Sequence, residues 1–164
     1  MLPGKILLRI GVVGDIHGND QGLFQALEAM NEPDLLFFTG DGYREISRLR
    51  REVTIPIEGV AGNCDFSNDY PGEQLLHLEQ YSILLTHGHL YGVKNGLTRI
   101  CLAAQAKKVQ LVVFGHTHQP LSDLWQGIRL FNPGSLSEER PPYCPSYGMI
   151  ILTTTGIDLQ LRRL

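Results

Sequence analysis

Short apolar runs alternate along the chain with amphipathic stretches, and the runs stop at small polar clusters. Residues 6–13 (ILLRIGVV) predict a buried strand ending at Gly14-Asp15. Asn19 or Asp20 is placed to cap a helix, since a short polar side chain there accepts an unpaired backbone N–H. Leu23, Leu27 and Met30 recur at helical spacing, and Asn31-Glu32-Pro33 ends that helix. Residues 34–39 (DLLFFT) predict a second strand stopped by Gly40-Asp41, and 43–52 a highly charged, solvated helix. Residues 55–60 read as a third strand before Gly62-Asn63-Cys64-Asp65, and 82–86 as a fourth before His87-Gly88-His89. A helix over 97–107 then leads into a fifth strand, 109–114, stopped by Gly115-His116-Thr117-His118.

Downstream, 121–125 and 127–131 read as successive strands, and 147–152 with 157–161 as a hairpin around Thr155-Gly156. The first part has the continuous apolar strands of sheets covered by helices, and the last part predicts a β meander. The expected class is α/β: two β-sheets packed face to face as a sandwich, with helices on the outer faces. No repeat or linker interrupts the pattern, and 164 residues predict one domain over 1–164 with a core large enough to need no staple.

Composition narrows the partners. With 14 Lys plus Arg against 17 Asp plus Glu, the formal charge is -3, which argues against stable nucleic-acid binding or an anionic membrane surface. No apolar run approaches a membrane span, and the start MLPGKILLRIG lacks a long signal-peptide core. Cys64, Cys101 and Cys144 are odd in number and form no CxxC pair, which points to a reducing, cytoplasmic setting. Five of the six histidines sit beside or near glycines in the polar clusters, and only His77 stands apart.

Taken singly, each cluster has an ordinary reading as a turn, a cap or a surface loop. Their conjunction does not. Five successive strand ends carry Asp15, His17, Asp41, Asn63, His87, His116 and His118, and ligands of open α/β sheets bind beyond the carboxyl ends of strands. Two carboxylates, four imidazoles and one amide oxygen suit Mn²⁺, Fe²⁺, Zn²⁺ or Ni²⁺ rather than Ca²⁺. Seven donors exceed one ion and fit two, particularly with a bridging carboxylate. Paired divalent ions ~3.5–4 Å apart clamp phosphate oxygens and lower the pKa of a shared water.

Asp15-Ile-His17-Gly-Asn19, Gly40-Asp41, Gly62-Asn63-x-Asp65, His87-Gly88-His89 and Gly115-His116-Thr-His118 together resemble the five-motif signature of calcineurin-like metallophosphoesterases. Asn132-Pro-Gly-Ser135 and the Pro-Ser-Tyr-Gly segment at 145–148 are similar to the tail of that superfamily's small, single-domain bacterial and archaeal phosphodiesterases. The resemblance implies hydrolysis of a phosphodiester by a metal-bridging hydroxide, with Asp15, Asp41, Asn63 and His87 in catalysis; the substrate expected is a small or nucleotide-like diester. It places one ion on Asp15, His17, Asp41 and His118, and the other on Asp41, Asn63, His87 and His116, with Asp41 bridging. It also implies Mn²⁺ as the commonest ion of small members, with Fe, Zn, Ni or Co as alternatives, and ions that offset the acidity of the chain at the site.

One position departs from the larger members, which carry after the metal-binding Asn a His thought to protonate the leaving alkoxide. Here it is Cys64, a short thiol that cannot be oriented as an imidazole can. The expected preference is therefore for diesters with acidic leaving groups. Asp65 reads as an orienting group, His89 as a substrate or supporting contact, and Asn132 and Gly134 as amide donors near the site or an ordinary Pro-Gly turn. Arg44, Arg48, Arg50 and Arg51 with Glu45 and Glu52 read as a solvated mixed-charge face. Loops over 66–74 and 136–146 are expected to set specificity. Two other functions compete: a phosphomonoesterase or protein phosphatase of the same superfamily, and a non-catalytic scaffold with this fold, as in a retromer subunit. Self-association is open to a small domain with exposed sheet edges.

Overall fold

A computed structural model describes residues 4–137 and 142–164; the expected specificity loop at 136–146 lies partly outside them. The first half runs β1 (Ile6–Val13), α1 (Asp20–Met30), β2 (Leu35–Phe38), α2 (Tyr43–Leu49), β3 (Ile57–Gly59), β4 (Glu73–Leu78) and β5 (Tyr81–Thr86). Two single 3-10 turns, His89–Tyr91 and Val93–Asn95, lead to α3 (Thr98–Lys107). Then follow β6 (Leu111–Val113), β7 (Leu121–Trp125), β8 (Ile128–Asn132), β9 (Ser146–Thr153) and β10 (Ile157–Arg163).

The strands form two five-stranded sheets, ordered β10-β9-β1-β2-β3 and β4-β5-β6-β8-β7. Within the first, β1, β2 and β3 are parallel; within the second, β5, β6 and β8 are parallel. Alternation along each strand sorts its side chains. Ile10, Val12, Leu35 and Phe37 meet Ile83, Leu85, Leu111, Val113 and Phe131 in the core between the sheets. Val13, Leu36 and Phe38 face outward under Leu23, Ala26 and Met30 of α1, and Leu84 and Val112 face Ile100 and Ala104 of α3. Both faces of the parallel strands are therefore buried, which is why they read as continuous apolar runs. The two-sheet, helix-covered arrangement agrees with the expected class.

Two local expectations fail, and one strand, β4, has no counterpart in the sequence pattern. The terminal strands are not one meander: β7 and β8 close the second sheet, while β9 returns to the first by pairing antiparallel to β1, and β10 pairs antiparallel to β9 at its edge. Strand β4 is an edge strand whose Leu76 and Leu78 turn toward the core, while Leu75 is exposed and masks the alternation. The charged segment at 43–52 is helical only over Tyr43–Leu49 and is not simply solvated, since Ile46 and Leu49 pack into the core under the first sheet and Glu45 is buried with them. Two of its arginines also have partners: Arg48 pairs with Asp20 at the start of α1, and Arg50 lies 4.9 Å over the Tyr70 ring. Asn19 caps α1 as expected, accepting from the Gly22 N–H, and its amide donates to the Leu136 carbonyl.

Candidate metal centre

Six parallel strands point their carboxyl ends into one cleft. Asp15, Asp41 and Asn63 follow β1, β2 and β3; His87, the His116–His118 pair and Asn132 follow or end β5, β6 and β8. The turns that present them are unusual. Asp15, His17, Asp41, His116 and His118 all have positive φ, from 42° to 70°. Left-handed backbone costs an L-residue ~1–3 kcal/mol, so five together persist only where surrounding contacts hold them. Those contacts are present: the Asp15 N–H donates to Gly40 O (2.9 Å), Ser135 Oγ to Asp15 O (2.7 Å) and the His116 N–H to Asp15 Oδ2 (2.9 Å). Asp65 holds the next turn by accepting the N–H groups of Asp41, Gly42, Tyr43 and Gly62, all at 2.8–3.0 Å.

The side chains then converge on two small volumes. Asp15, His17 and His118 form one group whose donor atoms all lie within 4.8 Å of one another, and Asp41, His87 and His116 form another. His118 Nε2 is 3.3 Å from both Asp15 Oδ1 and His17 Nε2. His87 Nε2 is 3.3 Å from Asp41 Oδ2, 3.2 Å from His116 Nδ1 and 3.0 Å from Asn63 Oδ1. Two donors on one ion, each ~2.1 Å from it, sit about 3.0–3.4 Å apart. A third grouping, His17, Asp41 and Cys64, abuts the first two.

Two details show that this constellation fits a cation. Asp15 Oδ1 is fully buried and accepts no hydrogen bond, although buried carboxylate oxygens are otherwise satisfied. His87 is also fully buried, and its Nδ1 lies 2.8 Å from the Thr39 carbonyl, which accepts the Nδ1–H and leaves Nε2 as a lone pair. That lone pair faces the Asn63 and Asp41 oxygens, an array of acceptors in need of positive charge.

The charges agree. Burial opposes ionisation of Asp15, yet His118, His17 and His87 prevail and hold its carboxyl below the ordinary range. Asp41 is likewise depressed, with burial overcome by His87, the Cys64 N–H and His17. His17 is raised, first by the Asp15 carboxylate beside it, 3.8 Å away. His87 is raised because Asp41 and Asp15 outweigh its burial. His116 falls to about 4 through burial, the charge of His87 and Lys94. The metal-free centre thus draws protons onto two imidazoles, positive charge that a bound metal ion would supply instead.

Other residues singled out in the sequence occupy supporting positions. Asn132 is fully buried, with its amide donating to Gly115 O and Thr117 Oγ1 and its oxygen accepting from the Gly134 N–H. It braces the His116–His118 turn and is not free to meet a ligand. The His89 ring lies 5.3 Å from that of His87; burial and the charge of His87 lower its pKa. The Cys64 thiol is exposed and its pKa is raised by burial of the sulfur's surroundings and by Asp41. Exposed His77 sits on β4, away from these donors, 2.9 Å from Ser82 Oγ. Sequence reasoning missed Ser135 and the Thr39 carbonyl as supports. Ser135 lay within a noted motif, but a backbone carbonyl has no sequence signal. A cleft of about 450 Å³ opens beside His17, Asp41 and Cys64. A larger groove, about 890 Å³, is lined by Arg9, Met149 and Thr153 and contains none of the donors.

Residues 8–155 match the calcineurin-like phosphoesterase superfamily domain. The chain belongs to this superfamily. It is 33% identical over 147 residues to the probable metallophosphoesterase YsnB of Bacillus subtilis, covering 88% of this chain and 85% of that one. It is 30% identical over 169 residues to the phosphodiesterase YfcE of Escherichia coli K12, covering 88% of each. Its fold superposes on a predicted phosphoesterase from Streptococcus pneumoniae with a TM-score of 0.78 at 26% identity, covering 95% of this chain and 89% of that one. The protein is a metal-dependent phosphoesterase, and its Asp and His groups are able to bind metal. Among the described residues, no helix is long and apolar enough to cross a membrane.

Proposed function

We propose that the chain is a dinuclear phosphodiesterase acting on small, nucleotide-like diesters. The observation that carries this reading is the position of Asp41 Oδ2, 3.3 Å from His87 Nε2 and 3.8 Å from His17 Nε2. One carboxylate oxygen thus reaches both donor groups, as a bridging ligand must. Asp15, His17, Asp41 and His118 would hold one ion, and Asp41, Asn63, His87 and His116 the other. Mn²⁺ is the ion we expect, with Fe, Zn, Ni or Co as alternatives for the same donors. Ions held there would supply positive charge to the phosphate oxygens and would make a water easier to deprotonate near neutral pH.

The protein's own part is positioning and charge. Asp65 orients Asp41 through the turn it clamps, and Ser135 and the His116 N–H fix Asp15. The Thr39 carbonyl sets the His87 tautomer. His89, whose ring lies 5.3 Å from that of His87, would stand near a phosphate held at the centre. No imidazole follows Asn63 to protonate a departing alkoxide, and the Cys64 thiol, exposed and raised in pKa, is a poor substitute. Leaving groups that depart as stable anions need no such acid, which favours activated diesters over alkyl monoesters. The unpaired cysteines suit a cytoplasmic setting, and one domain over 1–164 suffices for this chemistry; self-association of its sheet edges stays part of the proposal.

The test is metal analysis after Mn²⁺ loading, followed by turnover on matched aryl and alkyl diesters. Two ions per chain and faster aryl hydrolysis are expected. No bound metal under saturating Mn²⁺ overturns the dinuclear reading, and equal kcat/KM on both diester classes overturns the leaving-group argument.

A further inference from the structure

Phe66 has no packing role. It is 99% exposed, three residues beyond Asn63, in a chain whose other phenylalanines are buried or only partly exposed. An aromatic ring left in water forgoes ~1.5–3 kcal/mol of burial, so its placement calls for an occupant. Phe66 lines the 450 Å³ cleft together with His17, Asp41, Cys64 and Arg44, and with Asp65, whose oxygens are taken up by the backbone N–H groups they accept, and the largely buried Glu45. The same cleft is therefore lined both by metal-centre donors and by a free aromatic ring. Arg44 is exposed and has no ion-pair partner among the described residues, unlike Arg48 of the same helix, which pairs with Asp20. A planar ring and an unpaired guanidinium beside a phosphate-binding centre match a ligand with an anionic phosphate and a flat heterocycle.

We propose that Phe66 is the stacking platform for the base of a nucleoside phosphate, with Arg44 adding positive charge to the same cleft. This deepens the phosphodiesterase reading and rests on it for the phosphate's position. Larger segments of single-stranded nucleic acid are not the ligand, because the cleft is small and the chain carries a charge of -3.

The experiment titrates adenosine 5′-monophosphate and, separately, inorganic phosphate into the Mn²⁺-loaded full chain by calorimetry, for the wild type, Phe66→Ala and Phe66→Trp. Turnover of bis(p-nitrophenyl) phosphate is recorded alongside. The quantity read is the affinity ratio of the nucleotide to phosphate. Phe66→Ala is expected to lower that ratio roughly five- to thirtyfold, the lower part of the range for stacking one base, and Phe66→Trp to restore it. An unchanged ratio in Phe66→Ala overturns the platform. So does a ratio that falls equally in Phe66→Trp. A wild-type dimer that becomes monomeric in Phe66→Ala by sedimentation, with the ratio unaltered, assigns the ring to a contact between copies instead and also overturns it. Absence of diester turnover, with a Phe66-dependent ratio intact, supports the platform while it sinks the phosphodiesterase reading.

Discussion

Asp65 touches no proposed metal position, yet it is the residue whose loss should disturb the centre most for its size. Its Oδ2 accepts the N–H groups of Asp41 and Gly62 at 2.8 Å, and its Oδ1 those of Gly42 and Tyr43 at 3.0 Å. The Asp65→Asn change preserves shape and creates no cavity. It turns one acceptor oxygen into an NH₂, which leaves two N–H groups facing donors. Each lost charge-assisted bond and unsatisfied donor costs about 1–3 kcal/mol. Partial relaxation of an incompletely buried turn leaves a net loss of ~2–4 kcal/mol. For a chain of this length that lowers Tm by about 4–16 °C, at 2–4 °C per kcal/mol. Asp41, whose φ of 57° that turn maintains, should also relax. Metal affinity is expected to fall ~10–100-fold, as when a group orienting a ligand is lost. Calorimetric unfolding of the metal-free chain and Mn²⁺ titration measure the two effects separately. A Tm within 2 °C of wild type together with unchanged Mn²⁺ affinity would refute the clamp.

Three further outcomes follow from the geometry. Asp41→Asn should remove the proposed bridge, reduce bound Mn²⁺ below two per chain and abolish nearly all turnover; retained activity in a metal-analysed sample contradicts the bridging assignment. Gly40 has a φ of +104°, and a Cβ there would lie 2.7 Å from His87 Nδ1 and 2.8 Å from Gly62 N, so Gly40→Ala should cost ~2–4 kcal/mol and weaken metal binding, whereas unchanged urea unfolding would contradict the packing. The Tyr91 hydroxyl donates to Glu73, and burial with that carboxylate pushes the phenol from 10.0 up to about 12. The folded state favours the neutral phenol, so this stability is complete below pH 10 and is lost as pH rises toward 12. Solvent screening of a partly exposed tyrosine keeps the loss under ~1 kcal/mol. Tyr91→Phe should flatten that part of the pH–stability curve relative to wild type; an identical slope in both proteins contradicts the pairing.

The alternation of apolar runs and polar stops already specified much of this protein. Ile10, Val12, Leu35 and Phe37 could not be left in water, and residues buried on both faces of a strand imply covered sheets. The donors were equally legible, because Asp, His and Asn at successive strand ends have few uses in combination. Other features had no such signature. Leu75 obscured the period-two pattern of edge strand β4, and charge around Ile46 and Leu49 hid the buried face of α2. Both are cases where burial depends on neighbours distant in sequence. The same limit applied at the centre itself. Residue types named the donors, but only packing of the two sheets brings Asp15 within 3.3 Å of His118, 103 positions further along the chain. Only the tertiary structure shows five donor-bearing residues or their neighbours bent into left-handed backbone, Asp65 drawing four N–H groups together, and Asn132 sealed inside as a brace. Sequence determined which chemistry was affordable at the strand ends; the strain held by long-range hydrogen bonds decided where each atom of it points.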